Sequence, residues 1–315
     1  MLMNNSREED VLKPNIYVIG GPTASGKSKL AVELAKRING EIISADSMQI
    51  YKDMNIGTAK LTKEEMQGIK HHLLDFVSPE ERYSVANFKT DAKIKIEEIL
   101  KKGKTPIIVG GTGLYIDSMI YGIEFQDEKI DKEYREELNE LAEKEGLERL
   151  YEEARKIDPE AMKKISINDK KRIIRVLEIY HKTGKTKTEV EKESRKNEIK
   201  YNYKMFAITM NREKLYERIE KRVDQMIEQG LIEEVQSILN KYHKFPTAMQ
   251  GLGYKEVVEY LENKLTKEEM IEKIKKKTRH YAKRQLTWFR KNKETIWLDG
   301  EKPLEKNLEI IINGE

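Results

Sequence analysis

The chain of 315 residues contains no cysteine, so disulfides and thiolate metal sites are excluded. Long apolar runs are also missing: no stretch approaches the roughly 18 consecutive apolar residues that a membrane helix needs. A surplus of one charge is lacking too, since 60 Lys and Arg stand against 56 Asp and Glu, a formal net charge of +4. The overall field therefore does not demand a polyanionic partner, and local clustering has to decide that point. The N-terminal MLMNNSREEDVLKPN is polar and acidic, unlike a secretory signal, so a cytoplasmic protein is expected.

What is present is an alternating α/β pattern. Four short apolar, β-branched segments, IYVIG (16–20), EIISA (41–45), PIIVG (106–110) and MFAIT (205–209), lack the alternation of a half-exposed sheet and read as strands covered on both faces. Between the first two, Leu30, Ala31, Leu34, Ala35 and Ile38 recur at helical spacing before Asn39-Gly40 stops the run. VANFKTDAKIKIEEILKKGK supplies a further helix before the third strand, and from about 128 to 200 the sequence is charged and helical. The expected fold is α/β: a P-loop NTPase-like parallel sheet flanked by helices, built from 15–120 and 201–315, with an inserted, mainly helical subdomain at 121–200. After 210 the pattern is again helical through MIEQGLIEEV, then a loop, HKFPTAMQGLGY, and a basic helix before TIWLD, a possible edge strand.

Gly21-Pro22-Thr23-Ala24-Ser25-Gly26-Lys27-Ser28 fits G-x-x-x-x-G-K-[ST] between a strand and a helix, the context that the motif requires. Its backbone N–H groups and the helix N-terminus form an anion cradle, Lys27 adds a point charge, and Ser28 can hold Mg²⁺. Nucleotide hydrolases add an acid at the end of an apolar strand, but PIIVG runs into Gly110-Gly111-Thr112-Gly113 instead. The acid at a strand end is Asp46, in SADSMQIY, either a chemical group or a turn cap. A small-molecule kinase would hold ATP in the cradle and orient an acceptor hydroxyl with Asp46. Alternatively, the bound diphosphate is itself the leaving group, and an alkyl chain passes to a nucleophile that Asp46 deprotonates.

GPTASGKS, SADSMQIYKDMNIGTAK, HHLLDF, PIIVGGTGLY, INDKKRIIRVLEIY, MQGLGYKE and TRHYAKRQLTWFR, in this order across roughly residues 15 to 297, resemble the successive motifs of the tRNA dimethylallyltransferases, or tRNA isopentenyl transferases. The absence of cysteine, and so of the zinc finger of eukaryotic relatives, points to the bacterial type. The resemblance implies transfer of a dimethylallyl group from dimethylallyl diphosphate to the exocyclic amine of adenosine 37, beside the anticodon of tRNA. Gly21 to Ser28 would then hold the diphosphate, Mg²⁺ would sit at Ser28, and Asp46 would act as base, with Thr23 positioning the reacting centre. Of Arg212, Arg218 and Arg222, motif position favours Arg222 as a further diphosphate contact.

The same resemblance assigns tRNA contacts to Asp46, Ser47, Met48, Gln49 and Thr112 and to Lys171, Arg172 and Arg175. Arg135 is a further expected contact, as are Gln250, Gly251, Gly253 and Tyr254, whose glycine loop suits close approach to a sugar-phosphate backbone or is a plain turn, and Arg279, Lys283 and Arg284 of the basic segment below. The partner would be the tRNA anticodon stem-loop, engaged by a protein expected to be a monomer with no membrane contact. A stacked base must leave its helix to react, which calls for basic and aromatic surface. KIKKKTRHYAKRQLTWFRKNK (273–293) offers it, with about ten Lys and Arg, no acid, and Tyr281, Trp288 and Phe289 interleaved. Trp288 fits core packing as well as base stacking, and His71 and His72, two adjacent imidazoles with no evident third ligand, read as structural.

Overall fold

The structure, a computed structural model, describes residues 13–123, 131–194 and 199–314, so most of the acidic N-terminal segment lies outside the described residues. Two compact units result: Met1–Ile120 with Lys200–Glu315, and Tyr121–Ile199. The first opens with β1 (Asn15–Gly20), α1 (Lys27–Arg37), β2 (Gly40–Ser44), α2 (Lys63–Met66), β3 (His71–His72), α3 (Val85–Lys101), β4 (Thr105–Gly110) and α4 (Gly113–Ile120). The second holds α5 (Lys132–Glu145), α6 (Leu147–Ile157), α7 (Pro159–Met162), α8 (Lys170–Thr183) and α9 (Lys187–Ser194). The chain then returns to the first unit with β5 (Asn202–Thr209), α10 (Arg212–Glu228), α11 (Leu231–Lys241), α12 (Tyr254–Leu261), α13 (Lys267–Phe289), β6 (Ile296–Asp299) and α14 (Leu304–Asn313).

The six strands form one sheet in the order β3-β2-β4-β1-β5-β6, and every pairing is parallel. Both faces are covered, which is why the central strands read as unbroken apolar runs. Ile19, Ile42, Ile107, Val109 and Phe206 meet Leu30, Leu34, Leu308 and Ile311 of α1 and α14 in one core. A second core joins Ile50, Tyr51 and Met54, in the loop after β2, to Val223, Leu231, Val257, Met270 and Ile274 of α10 to α13. The inserted unit has its own core, with Leu138, Leu150, Ala154, Ile173 and Leu177 at its centre.

Two local features depart from the sequence pattern. The helical stretch through MIEQGLIEEV is broken between α10 and α11 at Gly230, whose φ of 98° suits glycine. His71 and His72 form a two-residue edge strand, β3, beside β2. It is held by a charge cluster: His72 Nε2 lies 2.7 Å from Glu41 Oε2, and Lys104 and Lys102 donate to the same carboxylate at 2.9 and 3.3 Å. Burial disfavours the charge on Glu41, yet Lys104, His72 and Lys102 together hold its carboxyl at about 2, below the ordinary 4.5.

A carboxyl lowered in the folded state stabilises fully above its unfolded pKa and loses that contribution as pH falls toward the folded value. Glu41 should therefore remove about 2 kcal/mol of stability between pH 5 and pH 3. Urea unfolding of Glu41→Gln should show a pH dependence shallower than wild type by about that amount; an identical acid dependence in both proteins contradicts this account.

Candidate active site

Parallel strands end together, so the loops following β1, β2 and β4 converge at one edge of the sheet. The loop after β1 winds through Gly21, Ala24 and Gly26 at φ values of 147°, 62° and 89°. Gly26 stands at the N-cap of α1 with no side-chain cap, so the first N–H groups of the helix open toward the loop. The loops after β2 and β4 touch backbone to backbone: a Cβ at Gly110 would lie 2.1 Å from the Ala45 carbonyl oxygen. That approach brings Thr112 Oγ1 to the Ser47 N–H at 3.0 Å, and the Thr112 N–H to the Ala45 carbonyl at 3.2 Å.

These loops line a cavity of about 340 Å³ that is completed by α10, α13 and the turn before α12. Thr23, Lys27, Ser28, Asp46, Ser47, Met48, Gln49 and Arg222 all face it, as do Gln250, Gly251, Gly253, Tyr254 and Arg284. One wall is apolar, formed by Ile219, Val223, Met226, Leu252 and Ile274. Asp46 is the turn cap that its position at a strand end suggested, and it also lines the cavity. Its Oδ1 caps a turn, accepting the N–H groups of Met48 at 2.9 Å and Gln49 at 3.3 Å, while the residue lines the cavity. Gln49 donates its side-chain amide to the carbonyls of Thr58 and Ala59, at 3.0 and 3.3 Å, which fixes the orientation of that amide.

Of the three candidate arginines, only Arg222 lines the cavity. Arg212 lies over the ring of Tyr216, 5.2 Å from its centroid, and Arg218 is exposed. Burial pushes the Arg222 guanidinium down from its ordinary range against the pull of Asp46 and Glu65. Lys27 is pushed to about 8 by burial and then by Arg222, with Asp46 opposing. Two cations that disfavour each other in one pocket are suited to an anionic ligand that relieves both. Ser28, lining the cavity at the phosphate loop, is a hard oxygen donor; Mg²⁺ takes few protein ligands beside phosphate oxygens and water, so this site fits it.

The basic helix, α13, is less free than its sequence suggests. Acids from α10 and α12 meet it: Lys273 pairs with Glu259, Lys275 with Asp224 at 2.7 Å, Lys277 with Glu256 at 2.6 Å, and Arg279 with Glu220 at 2.6 Å. Lys276, His280, Lys283 and Arg284 are exposed, the first three on one face at helical spacing. Phe289 is buried against Gly20, and the indole N–H of Trp288 donates to Asp117 at 2.8 Å while its ring packs on Gly113. These two aromatics are therefore structural.

In the inserted unit, Arg135 forms a bidentate pair with the buried Glu178, which Arg175 also approaches at 3.6 Å. Arg172 pairs with Asp169 at 3.4 Å and Lys171 is exposed. Tyr254 turns its hydroxyl away from the solvent to Glu234, at 2.6 Å, and the same carboxylate accepts the N–H groups of Asn55, Ile56 and Gly57.

Neither Glu234 nor Gln285 belongs to a readable phosphate-loop or strand-end signature. The signal for Gln285 is its place on the buried stripe of α13, among Ile274, Thr278, Ala282 and Phe289, where an amide has to find partners. It finds the Thr23 N–H, which donates to its Oε1 at 2.9 Å, and the Gly111 carbonyl, which accepts from its Nε2 at 2.9 Å. Tyr281, one turn earlier, lines the same cavity; burial and then the Asp46 carboxylate push its phenol up, partly offset by Thr112, Arg284 and Gln285.

Comparison with known proteins agrees with this geometry. The profile of the family described as IPP transferase matches residues 49–292. A tRNA dimethylallyltransferase of Acetivibrio thermocellus is 52% identical over 304 residues, covering 95% of this chain and 97% of the relative. One of Bacillus cereus is 46% identical, covering 94% of each. Among solved structures, the tRNA isopentenylpyrophosphate transferase of Bacillus halodurans superposes with a TM-score of 0.72 at 43% identity, covering 96% of this chain and 95% of the other. A eukaryotic dimethylallyltransferase acting on tRNA superposes with a TM-score of 0.78 at 32% identity, covering 96% and 77%.

The depressed Lys27 has a definite linkage sign. Its folded value lies below its unfolded one, so the unfolded chain binds more protons between about pH 8 and 10.5, and stability rises with pH across that window. Below pH 8 the ammonium is held at a cost, part of which is screened because Lys27 opens into the cavity. Lys27→Met should raise Tm at pH 7 by about 2–4 °C, or ~1 kcal/mol, and abolish the binding of inorganic diphosphate in calorimetry. A lowered Tm with unchanged diphosphate affinity contradicts this reading.

Proposed function

This chain belongs to the IPP transferase family, and from that membership we propose that it transfers a dimethylallyl group from dimethylallyl diphosphate to the N6 amine of adenosine 37 in the anticodon stem-loop of tRNA. The observation that carries the proposal is a single cavity lined by a phosphate loop, two cations, a strand-end carboxylate and a group of apolar side chains that form its apolar wall. The apolar wall suits a branched five-carbon group. The relatives that match nearly the whole chain are dimethylallyltransferases by name, so the kinase reading is not favoured.

In this mechanism the bond between the allylic C1 and the bridging oxygen breaks, and a bond from N6 to C1 forms. The electron pair of the broken bond leaves on the diphosphate. Lys27, Arg222 and the loop N–H groups stabilise the charge that collects there, a stabilisation greatest where charge develops. Mg²⁺ bound at Ser28 would add its own positive charge to the same oxygens. The adenine amine is a weak nucleophile because its lone pair is delocalised into the ring. Asp46 takes the N6 proton as the new bond forms, with the oxygen that is not committed to capping the turn. Thr23, at the entrance to the loop, positions the amine against the diphosphate. The target nucleotide must leave its stack, and the exposed cations of α13 supply phosphate contacts that offset the cost of doing so. Among the described residues no helix is long and apolar enough to cross a membrane.

Incubation with labelled dimethylallyl diphosphate, Mg²⁺ and unmodified tRNA, followed by nucleoside analysis, tests the proposal. Label in adenosine supports it, and consumption of ATP with a small acceptor in place of label in tRNA contradicts it. Asp46→Asn keeps an oxygen for the turn cap but removes the base. It should leave tRNA binding nearly intact and slow turnover by roughly two to four orders of magnitude; a normal rate places the base elsewhere. Replacing Lys283 and Arg284 with Ala should weaken tRNA binding and flatten its logarithmic salt dependence by about 1–2. An unchanged slope removes α13 from the tRNA surface.

A further inference from the structure

We propose that Gln285 is a positioning residue for the transfer reaction, setting the place of Thr23 by tying the phosphate loop to the glycine loop after β4. The inference rests on the function proposed above and adds to it a residue of the cavity lining whose amide is committed to two backbone partners. Gln285 lies on α13 and is 4% exposed. Its planar amide spans two loops from different strands: Oε1 accepts the Thr23 N–H and Nε2 donates to the Gly111 carbonyl, each at 2.9 Å.

The fit is close on both sides. A Cβ at Gly111 would stand 2.0 Å from Nε2, so no other side chain at 111 leaves room for this bond. The partners also fix the chemistry, because one end of the site is a donor and the other an acceptor, and only a group with both in one plane satisfies them. A glutamate carboxylate would keep the bond to Thr23 and press a negative oxygen against the Gly111 carbonyl. The position therefore requires a neutral planar group, which an amide supplies at every pH.

One turn earlier on α13, Tyr281 stands by Thr112, whose Oγ1 accepts the Ser47 N–H at 3.0 Å, next to Asp46. The buried side of one helix thus braces the residue on each flank of the reacting atoms, Thr23 and the Asp46 turn. The outward side of the same helix carries Lys276, His280 and Lys283, all exposed. A helix seated on phosphates through its outer face holds its inner face still, and a displacement of about 1 Å at a positioning group costs on the order of 100-fold in rate.

The test is the single-turnover rate of transfer at saturating dimethylallyl diphosphate and tRNA. Gln285→Met should lower that rate about 10- to 100-fold while the half-saturating concentration of each substrate stays near wild type. In a Thr23→Val background the same change should cost at most about 3-fold, because there is no longer a hydroxyl to place. Gln285→Glu provides a readout that a merely structural residue would not move. A neutral carboxylic acid restores both donor and acceptor, so the ratio of the variant rate to the wild-type rate should rise as pH is lowered from 8 to 5.5. A pH-independent ratio, a wild-type rate for Gln285→Met, or an equal loss with and without the Thr23 hydroxyl overturns the role of Gln285. Wild-type protein that transfers no label to tRNA overturns the functional reading and this inference together.

Discussion

The site depends on how closely two strand ends approach each other. β2 and β4 are neighbours in a parallel sheet, and the backbone after them is so near at Ala45 and Gly110 that no side chain fits at 110. Without that contact Thr112 would not reach Ser47, and the carboxylate of Asp46 would not stand beside a phosphate loop rising from the adjacent end of β1. The parallel arrangement is what gathers these loops on one side, since antiparallel neighbours would send successive loops to opposite edges. Chemistry is thus placed by sheet topology first and refined by hydrogen bonds afterwards.

The charge distribution separates structural from functional groups. Glu41, on β2 beside the edge strand, is met by Lys102, Lys104 and His72, and Glu234 collects three backbone N–H groups and a phenol, so both are saturated structural anions. In the cavity the balance is reversed: Lys27 and Arg222 repel each other and are both desolvated. Two desolvated cations in a concave site, only partly offset by Asp46, are the expected mark of an anion-handling group. On α13 the same helix uses both arrangements. Its earlier cations are tied to Asp224, Glu256, Glu259 and Glu220, which anchor the helix to its neighbours, while the Lys276, His280 and Lys283 face points outward.

Much of this was legible in the sequence because it is local. The strands β1, β2, β4 and β5 appear as unbroken apolar runs, the phosphate loop as a contiguous motif, and Asp46 as the acid that follows a strand. What escaped is long-range. β3 is two polar residues long and exists through Glu41, some thirty positions away, so no local pattern marks it. The run of cations in α13 contains no acid, but its acids arrive from α10 and α12, and Arg279 is held by a residue 59 positions earlier. Trp288 could not be assigned until Gly113 and Asp117 were seen beside it. Gln285 meets Thr23 across 262 positions, a contact visible in sequence only as an amide out of place on a buried stripe.

The central claim is that the phosphate loop holds a departing group while carbon moves, and the fate of the bridging oxygen tests it most directly. Dimethylallyl diphosphate carrying ¹⁸O between C1 and the α-phosphorus, turned over with unmodified tRNA, should deliver all of the label to free diphosphate, because the C1–O bond is the one that breaks. Label recovered in a prenyl alcohol, or a phosphorylated nucleoside in the product, would mean that phosphorus and not carbon is the site of attack, and would contradict the account.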